Sequence, residues 1–176
     1  MLRRWSVRTS LALKRTLWEK CAMLQFGEID HVGLTVSDVD TALAFWEPFL
    51  GVCASARNRS GAPWLSDFTG VEGAEVDAAK LDLPAGGYIE LYNYIVPNRA
   101  RNHQSTAAVG NVHFCLRVSD APSAWRRAIE LGAVEVTRNG PVTIGSGPSA
   151  GTRAGYLRIH DGITLELIQL APSRDD

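Results

Sequence analysis

From residue 29 to 36 the chain alternates, with Val32, Leu34 and Val36 on one side and His31, Gly33 and Thr35 on the other, the period of a half-buried strand. Ser37 and Asp38 then offer N-cap oxygens to a helix running to about Leu50. Its Ala42, Phe45, Trp46 and Phe49 are spaced to bury one side, and Gly51 ends it. Pro48 lacks the N–H that the Ala44 carbonyl would accept, so the pattern predicts a kink or an early end there. A loop rich in Gly, Ser and Pro over 58–73 leads to strands near 75–83 and 88–95, and a polar linker follows over 97–110. The plan then repeats, with a strand at 112–118, a helix opened by Asp120 and Pro122 and closed by Gly132, and a strand at 133–137. After a long loop over 140–151, segments 152–159 and 163–170 read as a hairpin across Asp161 and Gly162. A helix on one face of a mostly antiparallel sheet, made twice, is an α+β architecture.

The repetition extends to particular residues. HVGLTVSDVDTA from His31 aligns without gaps to HFCLRVSDAPSA from His113, and Gly-x-x-x-Glu-Leu recurs around Glu90 and Glu166. If Val32, Leu34 and Val36 pack beneath the first helix, His31 projects to the opposite face. His113 does the same when Val112, Phe114, Leu116 and Val118 pack. Glu90 lies between Ile89 and Leu91, and Glu166 between Leu165 and Leu167, so all four polar side chains are expected to leave the helix side together and converge in a cup. Two carboxylates there repel and are costly to ionise, which a cation between them relieves. Two imidazoles and two carboxylates suit one divalent ion: nickel, cobalt, iron, manganese or zinc, and less readily magnesium. A single His or Glu on a strand is ordinarily packed, hydrogen-bonded or solvated, and it is the pairing in both copies that singles these out. His103 and His160 have no counterpart and read as surface residues, while Cys115, two residues after His113, reads as a small packing residue.

Composition narrows the classes. With 45% hydrophobic residues in 176, the chain can bury one core or two small packed ones. The net charge of −1 hides an asymmetry, because Arg3, Arg4, Arg8, Lys14, Arg15 and Lys20 face only Glu19 near the start and leave the remainder mildly acidic. No basic stripe marks a nucleic-acid partner, and no apolar run approaches the roughly 20 residues of a membrane span. Three cysteines without a Cys-x-x-Cys spacing suggest neither a disulfide framework nor a zinc knuckle, which fits a reducing compartment, the cytoplasm. The first 25 residues have the Arg- and Ser-rich composition of a transit segment, though a short surface helix or a misplaced start explains them equally. The expected division is an extension over 1–25, a first module over 26–98, a linker over 99–110 and a second module over 111–172.

The stretches IDHVGLTVSDVDTALAFWEPFLG and DGITLELIQ resemble the vicinal oxygen chelate superfamily, which includes glyoxalase I, methylmalonyl-CoA epimerase, bleomycin and fosfomycin resistance proteins and extradiol dioxygenases. The resemblance covers 29–170. It implies paired βαβββ modules whose curled sheets form a cup around a metal, with ligands in the order His, Glu or Gln, His, Glu, here His31, Glu90, His113 and Glu166. Glu in second place leans toward glyoxalase I, whereas IDHVGLTVSD looks more like the epimerase. In both reactions a metal polarises a substrate oxygen and a carboxylate removes the proton alpha to a carbonyl, giving an enolate or enediolate. The resemblance therefore implies a metal-dependent epimerase or isomerase, with a lactoylglutathione lyase as the alternative. Glu166 is the expected base, and Glu90 its opposite-face partner or a plain ligand. An extradiol dioxygenase uses two His and one carboxylate, which a second Glu crowds, and a ligand-sequestering relative would lack the ligand set. The substrate is expected to be a small molecule met by loops 57–69, 98–110 and 140–151, with Trp64, Tyr92, Tyr94, Arg153 and Arg158 as possible contacts. The two modules close one cup within a chain or exchange across a symmetric homodimer.

Overall fold

The alternation at 29–36 becomes β1 (His31–Thr35), whose even positions are partly buried and whose odd ones are exposed. In the computed structural model, residues 27–97, 99–100 and 105–172 are described; the expected N-terminal extension and His103 lie outside them. α1 (Val39–Leu50) starts where Asp38 accepts the Thr41 N–H at 2.7 Å and ends at Gly51 in the left-handed region, φ 71°. The expected break at Pro48 does not occur. Pro48 stands in the last turn, so it forfeits only the bond to Ala44, while the Gly51 N–H still reaches the Glu47 carbonyl at 2.9 Å.

β2 (Ala56–Ser60), α2 (Trp64–Thr69), β3 (Val76–Asp82) and β4 (Tyr88–Tyr94) complete the first half. The 58–73 stretch is therefore not simply a loop, since β2 occupies its start and α2 its middle. The second half runs through β5 (His113–Arg117), α3 (Ala121–Glu130), β6 (Val134–Glu135), β7 (Val142–Thr143), β8 (Arg153–Arg158), a 3-10 turn (His160–Gly162) and β9 (Thr164–Gln169). The strand expected at 133–137 shortens because the Val136 and Thr137 N–H groups both turn onto the Tyr156 carbonyl, each at 3.0 Å. Asp161 and Gly162, with φ of 55° and 75°, make the tight hairpin turn.

The first sheet has the order β1-β4-β3-β2 and the second β5-β9-β8-β6, with β7 also on β8. β1 pairs parallel to β4 and β5 parallel to β9, and the other pairs are antiparallel. Neither sheet closes on itself, and β1 and β5 are open edges; Val112, expected to pack beneath the helix, precedes the β5 edge and is exposed instead. The fold is α+β, as expected. The helix-facing residues of both sheets, among them Leu81, Ile89, Leu91, Leu157, Leu165 and Leu167, join Phe45, Trp46 and Trp125 in one core. α1 packs on β3 and β4 of its own half and also touches α3 and the 3-10 turn of the other. Among the described residues no helix is long and apolar enough to cross a membrane.

Candidate functional site

The period of two that buries Ile89, Leu91, Leu165 and Leu167 turns Glu90 and Glu166 to the opposite sheet faces, where His31 and His113 also project. His31 Nε2 stands 3.5 Å from a Glu90 carboxylate oxygen, and His113 Nε2 stands 3.0 Å from one of Glu166. The four residues are thus brought together as two pairs. Both pairs face away from the shared helical core, and a cleft of about 830 Å3 separates the open edges of β1 and β5, lined by Gly33, Thr35, Arg99, Val112 and His113. Among the described residues no group of three or more His, Cys, Asp or Glu is placed to hold a metal ion. The two pairs are not gathered into one such group within the chain, whose halves meet through α1, α3 and the shared core.

Each pair has its own surroundings. Asp30 holds His31 Nδ1 at 2.8 Å, and the imidazole stacks on Tyr88 with ring centroids 4.8 Å apart. Holding Nδ1 leaves Nε2 as the atom presented toward Glu90. Glu90 lies opposite Gly33 on one flank and Lys80 on the other. The Tyr92 phenol is pushed up to about 12 by burial, by the Glu90 charge and by its hydrogen bond to Glu90. Glu166 lies opposite Cys115 and Tyr156. Burial, the Glu166 charge and a hydrogen bond to Glu166 push the Cys115 thiol up to about 11. Tyr156 meets His113 edge-on at 5.2 Å.

Residues 30–156 match the Glyoxalase/Bleomycin resistance protein/Dioxygenase superfamily. The chain belongs to this superfamily. A 2-epi-5-epi-valiolone epimerase of Actinomyces sp. is 29% identical over 145 residues, 81% of this chain and 79% of that one. A glyoxalase family protein of Bacillus cereus superposes with a TM-score of 0.69 at 25% identity, covering 85% of this chain and 98% of the other. A glyoxylase/bleomycin resistance protein/dioxygenase domain from Frankia sp. EAN1pec has the same fold, with a TM-score of 0.58 at 17% identity over 85% of this chain and 96% of the other.

Within this superfamily member the donor set fits a divalent ion pair by pair. Two ligands about 2.0–2.2 Å from one ion, at angles near 90–110°, stand roughly 3.0–3.5 Å apart, the separations observed between His113 and Glu166 and between His31 and Glu90. Several neighbours were not identified by sequence patterning. Asp30 is adjacent to His31, which was a usable signal, whereas Arg99, which donates to the Val36 and Ser37 carbonyls at 3.1 and 3.2 Å, had none. Trp64 and Tyr92 line a cavity beside Glu90. His160 is not a surface residue: its side chain is 8% exposed and is inserted between Phe45 and Trp46.

Proposed function

We propose that the chain is a divalent-metal-dependent epimerase that moves a proton at the carbon alpha to the carbonyl of a small polyhydroxylated ketone. The observation that carries this reading is the duplicated His–Glu pair, spaced as two neighbouring ligands of one ion would be, in a chain related to a 2-epi-5-epi-valiolone epimerase. His31, Glu90, His113 and Glu166 are the residues that would hold the ion. When bound, the ion supplies Lewis-acid polarisation of the substrate carbonyl.

The remaining chemistry belongs to the side chains. Glu166 accepts the alpha proton on a carboxylate oxygen, and the C–H electron pair becomes the carbon–carbon double bond of an enolate. Glu90, protonated at that point, returns a proton to the opposite face, so the carbon inverts. Glu90 is left ionised and Glu166 protonated, and exchange with solvent restores both. Asp30 keeps the His31 ring oriented throughout.

The proposed active form is a symmetric dimer in which the His31–Glu90 pair of one copy meets the His113–Glu166 pair of the other. Supporting this, Ile29 and Val112, just before the open edges of β1 and β5, are 82% and 81% exposed. A lactoylglutathione lyase is the second reading, favoured by Glu rather than Gln at position 90. Proton exchange with the glutathione hemithioacetal, absent with hydroxy ketones, would select it.

Metal analysis joined to proton exchange in deuterated solvent tests the proposal. Wild-type protein should retain a divalent ion and exchange the alpha proton of a polyhydroxylated cyclohexanone. Glu166→Gln should keep the ion and lose exchange by about 10²–10⁴-fold, the usual contribution of a positioned base. Undiminished exchange in that variant would remove Glu166 as the base, and wild-type protein lacking both ion and exchange after reconstitution would end the proposal.

A further inference from the structure

The two halves share one backbone frame, so corresponding positions show where they have diverged. Gly33 faces Glu90 across the strand pair where Cys115 faces Glu166, and Lys80 takes the flank that Tyr156 takes in the second sheet. Around Glu166 both flanks are occupied by side chains, one of them packed on His113. Around Glu90 one flank is open, since a Cβ added to Gly33 would meet nothing within 4 Å. On the other side Glu90 borders a cavity of about 200 Å3 walled by Asn58, Ser60, Lys80, Tyr92 and Trp64.

The chemistry of these walls is selective. Trp64 reaches the cavity from α2 while 59% exposed, and its ring is braced edge-on by Phe68 at 6.0 Å. A large indole left this wet is a platform for an apolar ring face. Asn58 and Ser60 lie on β2 at alternate positions and add an amide and a hydroxyl to the same wall. The Lys80 ammonium is neutralised by Asp82 at 2.9 Å and lies 4.3 Å from the centre of the Tyr88 ring. With Glu90 nearby and no uncompensated cation lining it, the cavity disfavours an anionic ligand. Its volume also falls below the roughly 300–1,000 Å3 that holds drug-sized ligands, which argues against a coenzyme or glutathione adduct lying in it.

We propose that this cavity is the ring subsite of the epimerase, taking an uncharged polyhydroxylated six-membered ketone with one ring face on Trp64. Asn58, Ser60 and Lys80 bond its hydroxyls, and its reacting carbon is turned toward Glu90. The fate of that carbon rests on the epimerase reading, whereas binding of the ring does not.

Binding and turnover are therefore measured separately on the metal-loaded protein, with scyllo-inosose, a pentahydroxycyclohexanone, as the binding probe. Wild-type protein should show saturable saturation-transfer difference signals from inosose, and an inositol monophosphate should bind more weakly. Trp64→Ala should raise the inosose Kd at least tenfold with metal content unchanged, and Trp64→Phe should restore most of the affinity. If the ketone is turned over, KM should rise in Trp64→Ala while kcat holds. Inosose binding indifferent to both Trp64 variants, or tighter binding of the phosphate, would overturn the subsite even if proton exchange is present. Trp64-dependent binding without any proton exchange would support the subsite and remove the epimerase reading.

Discussion

His160 sits where the two halves meet, its ring centroid 6.0 Å from Phe45 and 6.3 Å from Trp46, with neither ring nitrogen hydrogen-bonded. Burial lowers its pKa, and the Asp161 carboxylate at 3.6 Å only partly opposes this. Burial also pushes Asp161 up, but bonds from Ser37 and the nearby His160 outweigh it and hold the carboxyl below its ordinary value. The folded value for His160 lies below the unfolded one, near 6.5, so the unfolded chain binds the extra proton. The stability contributed by a neutral His160 is fully present above that pH and is lost as pH falls toward the lowered folded value. Urea midpoints measured downward from pH 7 should therefore begin to drop before the carboxylates protonate. His160→Phe, which keeps the aromatic contact without the proton, should flatten that early part of the curve. An unchanged slope would remove His160 as its source.

Between elements the same sensitivity is steric. A Cβ on Gly155 of β8 would stand 2.7 Å from Trp125 Cζ3 and 3.3 Å from Pro141 Cα. Trp125 cannot easily yield, because it is buried and its indole N–H donates to Glu135 at 3.0 Å. Gly155→Ala should cost about 1–3 kcal/mol by denaturant titration, the usual penalty for overpacking, while Gly33→Ala, with open space around it, should be close to neutral for folding. This contrast also bounds what patterning could read. β1, β4, β5 and β9 were legible because one face is apolar and the other polar. β2 was not, since Arg57 and Arg59 leave the strand to meet Asp77, Asp40 and Glu75, while Asn58 and Ser60 line the cavity, so both faces are polar. His160 was misread because its burial comes from Phe45 and Trp46, far away in the chain, and not from its own turn.

For the whole molecule, strand alternation assigns a side chain to a face but not one sheet's position relative to another. The pairing of His31 with Glu90 and of His113 with Glu166 was therefore readable, and the separation of the pairs was not. If a second copy brings them together through a two-fold axis, each dimer holds two sites, each built from the first half of one copy and the second half of its partner. Glu90→Gln and Glu166→Gln homodimers then have every site damaged. In a mixed dimer one site carries both substitutions and the other carries neither. Random reassortment of equal amounts makes about half the dimers mixed, so the mixture should recover about a quarter of wild-type epimerisation, which needs both carboxylates, from two parents unable to invert the carbon. A site closed within a single chain would gain nothing on mixing, because every copy carries one damaged carboxylate whatever its partner. Epimerisation that stays at the parental level, in a mixture where isotope labelling of one parent lets mass confirm mixed dimers, would therefore place all four residues back in one chain. Recovery near a quarter would require the edges of β1 and β5 to face a second copy, and substituting Asp for Val112 at that edge should then abolish recovery and dimer together.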